Sequence, residues 1–168
     1  MTRRHRSLLL GLMLLTLAAD QWTKQLARTH LAGQEVHRYA GDVLTLLYAE
    51  NAGAFLSLGA NLPHLLRRVI FDGIVGIGLL AAAWVLFTGR MQAKADEVAL
   101  AFIVAGGVGN LIDRVQFGGR VTDFIYLAAG PLHTGVFNVA DMAITAGVIW
   151  LMVSWMFTRK PEPQPPVA

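Results

Sequence analysis

The chain has 168 residues, enough for one domain, with 55% hydrophobic and only 15% charged residues and a mean hydropathy of +0.51. So little charge, with apolar residues in long runs, excludes an ordinary water-soluble domain and points to lipid as the solvent. Cysteine is absent, which excludes disulfides, thiolate nucleophiles and Cys-ligated metals, and the net charge of +3 sits at segment ends, which argues against nucleic-acid binding.

Four apolar stretches follow one another along the chain. The first covers about 8–26, the second 69–87, the third 98–112 and the fourth 136–157. A spanning helix needs roughly 20 apolar residues. The second and fourth qualify by length. The first and third run into charged clusters, Asp20 to Lys24 and Asp113 to Arg114. A short span with a polar end predicts a helix whose end lines a protein-buried site. The first stretch has a rival reading: Arg3, Arg4 and Arg6 before Leu8–Ala19 also fit a cleavable signal peptide.

Lys and Arg divide seven and seven between the two sets of loops, but Arg3, Arg4, Arg6, Arg90, Lys94, Arg159 and Lys160 are packed into much shorter segments. That density places both termini in the cytoplasm and turns loops 27–68 and 115–135 outward. Within the first loop, Val36–Tyr48 with a Gly41-Asp42 turn predicts a small hairpin or sheet, and Leu62–Arg68 after Pro63 a short amphipathic helix entering the second span. Residues 1–160 read as a single integral membrane domain. The Pro-rich tail 161–168 reads as a disordered cytoplasmic extension.

Acidic residues near membrane depth are costly and tend to be functional. Asp123 follows Gly118-Gly119, and Asp141 opens the fourth span. Both fall near the outer face in this topology. Two neighbouring carboxylates do not both ionise easily, so one can polarise a carbonyl while the other takes a proton from water. Singly, Asp123 also fits a turn former, and Asp141 a helix-start acid favoured by the dipole. Asn138 and Asp141, three apart, share a helix face, as do Asn110, Asp113 and Arg114. Gly106, Gly107 and Gly109 suit close helix approach. Asp20 and Lys24 are an i, i+4 pair, and Asp72 is placed to pair with Arg67 or Arg68. The five histidines have no ligand spacing, so no metal site is expected, and the serines lack a nucleophile context. A small proton-coupled carrier using Asp123, Asp141 and Arg114 as relays, or a noncatalytic scaffold, fits the same residues.

Taken in order, Asp20-x-x-Thr23-Lys24, Asn51-x-Gly53-Ala54, Gly109-Asn110-x-x-Asp113-Arg114, Val121-x-Asp123-Phe124 and Phe137-Asn138-x-Ala140-Asp141 resemble the lipoprotein signal peptidase (signal peptidase II) family. The resemblance runs over roughly residues 7–157. It implies a mainly α membrane protein of four transmembrane helices with a small periplasmic β-sheet and a short surface helix. It implies a multi-pass enzyme of the bacterial cytoplasmic (inner) membrane, with its active site near the periplasmic face. The family cleaves prolipoprotein signal peptides just before a diacylglyceryl-modified cysteine. By position, Asp123 and Asp141 match its catalytic dyad. Asn51, Asn110, Arg114 and Asn138 match residues that position the substrate or the dyad. Asp20 and Lys24 match a supporting pair, and Gly53 lies in the Asn51 motif. The implied partners are lipid-modified prolipoproteins, membrane lipid and the cyclic-peptide inhibitors of the family. A monomer with no cofactor is implied. One departure stands out: Ala54 meets Phe55 directly, where many members have a second Ala.

Overall fold

A computed structural model describes residues 2–53, 59, 61–91 and 93–158. The Ala54-Phe55 departure and the tail 161–168 lie outside the described residues.

Helix α1 (Arg3–His30) begins where the Thr2 hydroxyl accepts the His5 N–H at 3.3 Å, and ends with Arg28 and His30 at the negative end of its dipole. Its 28 residues exceed the expected first span at both ends. Pro63 then starts α2 (His64–Arg67), which passes through a π-helical segment (Arg68–Ile74) into α3 (Val75–Thr88). The short helix expected over 62–68 is thus the first turn of a continuous helix, and no separate surface helix is present among the described residues. Gly89, at φ 67°, closes α3 in the left-handed conformation that favours glycine. Helix α4 (Lys94–Gln116) carries Asp96 and Glu97 in its first turn and Arg114 in its last, both matched to the dipole. Helix α5 (Val139–Thr158) closes the bundle.

Among the described residues three helices are long and apolar enough to cross a membrane: His64–Thr88, Lys94–Gln116 and Val139–Phe157, with mean hydropathies of 2.2, 1.6 and 1.6. Helix α1 is long enough, but Arg3, Arg4, Arg6, Asp20, Lys24 and Arg28 dilute its apolar content. The outer faces are apolar: Leu14, Leu15, Ile77, Leu80, Met152 and Met156 are all exposed. This is the pattern of a chain solvated by lipid.

Strands β1 (His37–Tyr39), β2 (Leu44–Asn51), β3 (Val121–Ala129) and β4 (Leu132–His133) form one antiparallel sheet in the order β1-β2-β3-β4. The expected hairpin is present, with Ala40, Gly41 and Asp42 at positive φ in its turn. Two details of the sheet set the site. Leu46 pairs with Ile125 and Ala49 with Asp123, so β2 carries one extra residue beside Asp123. Such a bulge re-aims the neighbouring side chains. Phe137 exchanges backbone hydrogen bonds with Ile125, at 2.9 Å each way. That bridge pins the start of α5 against β3 and brings residues far apart in sequence side by side.

Helix α4 is the central helix, packed on α5, α1 and α3. It approaches α5 closely because of Gly106: a Cβ there would lie 2.5 Å from the Ala140 carbonyl oxygen. The end away from the sheet is apolar, built on Leu9, Leu86 and Ala101. The end beside the sheet is polar, with Asp20, Lys24, Asn110, Asp113, Thr122, Asp123 and Asn138 all buried.

Candidate active site

The polar end is organised by one side chain, Asn138, which is fully buried. It is the N-cap of α5. Its Oδ1 accepts the Asp141 N–H at 3.0 Å, and the Asp141 Oδ2 accepts the Asn138 N–H at 3.2 Å. This reciprocal arrangement is a capping box written with Asn and Asp, and it explains why the two residues stand three apart. The free amide of Asn138 then donates to Asp123 Oδ1 at 2.7 Å, and more weakly to the Thr122 carbonyl at 3.3 Å and Asn110 Oδ1 at 3.2 Å. Asp123 and Asp141 are therefore joined through a single intervening side chain.

Each carboxylate has a second amide donor. Asn51 Nδ2 donates to Asp123 Oδ2 at 3.0 Å, and Asn110 Nδ2 to Asp141 Oδ1 at 2.9 Å. The Asn51 amide is oriented by the Gly53 N–H, which donates to its Oδ1 at 2.9 Å. The Asn110 amide is oriented by Lys24, whose Nζ donates to its Oδ1 at 2.8 Å. Burial, and after it the Asp141 carboxylate, push Asp123 up to about 6 against the downward pull of Asn51, Asn138 and Lys24.

Behind the two aspartates lies a buried ionic cluster. Lys24 Nζ is 2.9 Å from Asp20 Oδ2 and 3.7 Å from Asp113 Oδ2, with all three side chains sealed from solvent. Asp20 Oδ1 accepts the Ala140 N–H at 2.8 Å, satisfying a further backbone donor at the start of α5. Its approach is possible because residue 109 is glycine: a Cβ there would lie 2.5 Å from Asp20 Oδ2. Asp113 Oδ2 accepts the Thr122 N–H at 2.9 Å, fixing the start of β3 against the end of α4.

Both aspartates line a cavity of about 380 Å³ together with Asn51, Asn110, Arg114 and Phe71. Its remaining walls, including Val75, Ile144, Val148 and Ile149, are apolar. Arg114 donates from Nη2 to the Gly53 carbonyl at 2.8 Å, and its Cζ lies 5.4 Å from the Phe71 ring centroid. Its Nε has no partner among the described residues. A second recess of about 350 Å³, lined by Glu50, His133 and Thr134, reaches Asp123 from the sheet. No cluster able to hold a metal exists among the described residues. An apolar slot with two buried carboxylates, amide donors and a guanidinium suits acid–base work on a polar bond carried by an apolar ligand.

The nine residues singled out in the sequence, Asp20, Lys24, Asn51, Gly53, Asn110, Arg114, Asn138, Asp123 and Asp141, all fall in this one network. Asp72 is also where expected, 3.2 Å from Arg68 Nε. Sequence reasoning placed Asp113 on the face of Asn110 and Arg114 without giving it a site role, and left out Gln21, Arg28 and Thr122 as site residues. Gln21 Nε2 donates to the Gly109 carbonyl and to Asp20, both at 3.1 Å. The signal was a polar stripe on α1, since Asp20, Lys24 and Arg28 recur every fourth residue.

The comparisons with known proteins agree with this geometry. The family model described as "Signal peptidase (SPase) II" matches residues 12–157. The lipoprotein signal peptidase of Acinetobacter baumannii is 36% identical over 168 residues, covering 95% of this chain and 89% of that protein. That of Francisella tularensis subsp. novicida is 37% identical over 150 residues, covering 89% and 91%. A solved bacterial membrane enzyme superposes with a TM-score of 0.78 at 24% identity, over 95% of each chain, which shows the shared fold. With its polar motifs gathered at one end of an apolar bundle and a family match over nearly its whole length, the chain belongs to the signal peptidase II family.

Proposed function

We propose that this protein is a membrane aspartic endopeptidase that removes signal peptides from diacylglyceryl-modified prolipoproteins, just before the lipidated cysteine, with Asp123 and Asp141 as its catalytic dyad. The observation that carries the reading is the Asn138 bridge, whose side-chain amide donates to the Asp123 carboxylate and whose backbone N–H donates to that of Asp141, with both carboxylates lining one cavity. The lipid on the cysteine places its acyl chains among the apolar walls. The scissile amide then lies between the carboxylates. One of them, ionised, takes a proton from a water as the water oxygen adds to the carbonyl carbon. The other, protonated, gives its proton to the carbonyl oxygen. On collapse the carboxyl that took the water proton gives it to the amide nitrogen as the C–N bond breaks, and the other carboxylate takes back a hydroxyl proton as the carbonyl re-forms. Asn51, Asn110 and Asn138 orient the dyad. Arg114, whose Nε meets no acceptor among the described residues, binds the substrate backbone. Asp20 and Lys24 hold α5 and the Asn110 amide.

In this reading α1 is a fourth span, and residues 1–160 form one domain. At about 1.5 Å per residue its 28 residues exceed the roughly 30 Å of a bilayer core, and Asp20 and Lys24 turn inward while Leu8, Leu14 and Leu15 face out. Both termini are then cytoplasmic, and the sheet and dyad sit at the periplasmic face of the bacterial inner membrane. The protein acts as a monomer, and cyclic peptides that mimic the substrate compete for its cavity.

Incubation of the purified protein in lipid with a prolipoprotein, with and without prior diacylglyceryl modification, tests this. Cleavage of the modified form alone, abolished by Asp123→Asn and by Asp141→Asn, is expected. Equal cleavage of both forms, or turnover in either variant, would overturn it.

A further inference from the structure

Arg28 belongs to none of the five sequence motifs, yet its guanidinium joins three elements at the base of the site. From the last turn of α1, Nη1 donates to the Thr122 hydroxyl at 2.8 Å and lies 3.5 Å from Asp113 Oδ2. Its Cζ is 4.6 Å from the centroid of the Phe117 ring, which caps α4. Thr122 is held from three sides: its hydroxyl by Arg28, its N–H by Asp113 and its carbonyl by Asn138. The next residue is Asp123. A displacement of Thr122 is therefore passed directly to the carboxylate beyond it.

Arg28 also completes a charge balance. Asp20 and Asp113 are both sealed from solvent. Lys24 alone supplies one positive charge against these two, and Arg28 supplies the second. Removing it leaves a buried carboxylate uncompensated, which is strongly unfavourable. The groups that share this field are Asp20 and Lys24 on α1, Tyr48 and Glu50 on β2, Asp113 and Arg114 on α4, Asp123 on β3 and Asp141 on α5.

We propose that Arg28 is a positioning residue for hydrolysis, clamping Thr122 and Asp113 so that Asp123 keeps its register opposite Asp141, and balancing the buried charge behind the dyad. This inference rests on Asp123 and Asp141 being the reacting pair.

The test compares Arg28→Gln, Arg28→Lys and Thr122→Val, each purified in lipid and given a diacylglyceryl-modified prolipoprotein across the acidic and neutral range. Arg28→Gln is expected to lower kcat about tenfold, since small misplacements of reacting groups cost about that much or more. KM stays within about twofold, because no substrate contact is lost. The acidic limb of the pH–rate profile moves to higher pH, because a positive charge near the dyad is gone. Arg28→Lys returns the limb to its wild-type position but recovers only part of kcat, since an ammonium lacks the planar fork that reaches Thr122 while lying over Phe117. Thr122→Val lowers kcat without moving the limb, and adding it to Arg28→Gln costs less than the two separate losses multiplied. If Arg28→Gln fails to fold, the Lys and Val variants carry the same comparison. Wild-type kcat and pH profile in Arg28→Gln, or in both Arg28→Lys and Thr122→Val, overturn this inference alone. An inactive wild type, or a fully active Asp123→Asn, overturns the dyad reading and this inference with it.

Discussion

Replacing Asp123 by Asn should stabilise the protein at neutral pH while abolishing cleavage. Asp123 is almost wholly buried, and its carboxyl is raised from the ordinary 3.8 to about 6 by burial first and by Asp141 second. A raised carboxyl pKa means that the folded state holds the proton more tightly than the unfolded chain. The favourable contribution is complete below about pH 4 and is lost as pH rises through about 6. The interval from 3.8 to about 6 is worth about 3 kcal/mol, so at pH 7.5 the ionised side chain costs the fold roughly that much. Asn has the same shape without the charge. One of its two terminal atoms becomes a donor, and it meets a donor from either Asn51 or Asn138. The lost hydrogen bond returns about 1 kcal/mol. The net expectation is about 2 kcal/mol of added stability at pH 7.5 and none at pH 4.

Thermal unfolding of the two proteins in the same lipid or detergent, followed at both pH values, reads this difference. The midpoint of Asp123→Asn should exceed the wild type by several degrees at pH 7.5, and at pH 4 the two should coincide or reverse. A variant no more stable than wild type at pH 7.5 would falsify the electrostatic reasoning. A gain of equal size at both pH values would assign the effect to packing instead of charge.

Other substitutions probe the shell around the dyad. Asp141→Asn should reduce turnover by about 10³-fold or more, because in the proposed mechanism it removes one of the two carboxyls that exchange protons with the substrate; a single-turnover assay measures it. Lys24→Met should destabilise the fold by about 3–5 kcal/mol through the uncompensated Asp20 and Asp113, and Asp20→Asn added to it should recover much of that loss; unfolding midpoints of the single and double variants decide. Gly106→Val should lower both stability, by about 1–3 kcal/mol, and turnover, since its Cβ would sit 2.5 Å from the Ala140 carbonyl oxygen and push α5 with Asp141 away; unchanged midpoint and kcat would refute the close packing. The wild-type pH–rate profile should be bell-shaped, with an acidic limb where the catalytic base gains its proton and an alkaline limb where the acid loses its own. A flat profile across pH 4–8 would contradict a shared-proton dyad.

Much of this arrangement was readable from local rules. The apolar runs of α3, α4 and α5 were visible as stretches, and the ends of α4 moved by a few residues because Asp96 and Glu97 in its first turn and Arg114 in its last suit the helix dipole, which hydropathy ignores. The three-residue step from Asn138 to Asp141 was read as a shared face. The structure gives the sharper cause, a capping box, which places both polar groups at the first turn of α5. Arg28 extends the fourth-residue stripe of Asp20 and Lys24, which puts it on the same face of α1, whereas Thr122 is unremarkable in its own segment. Their pairing comes from contact between α1 and β3, 94 residues apart, and no periodicity within either segment encodes that contact.

The meeting of Asp123 with Asp141 was the least legible feature, and its causes are all non-local. Phe137 pairs with Ile125, the bulge in β2 turns Asp123, and Asp20 captures the Ala140 N–H across the bundle. Each of these contacts also satisfies a backbone group or a buried charge that would otherwise be costly at membrane depth. The two carboxylates are the exception. Among the described residues neither contacts a cation: Lys24 donates to the Asn110 amide that meets Asp141, and burial raises Asp123 in spite of the pull of Lys24. A closer cation would quiet the site: an Asp141 paired directly with Lys24 would lie low, hold its charge firmly and exchange protons poorly with a substrate. The interposed asparagines keep the ammonium one side chain away, which fixes the geometry of the pair without discharging it.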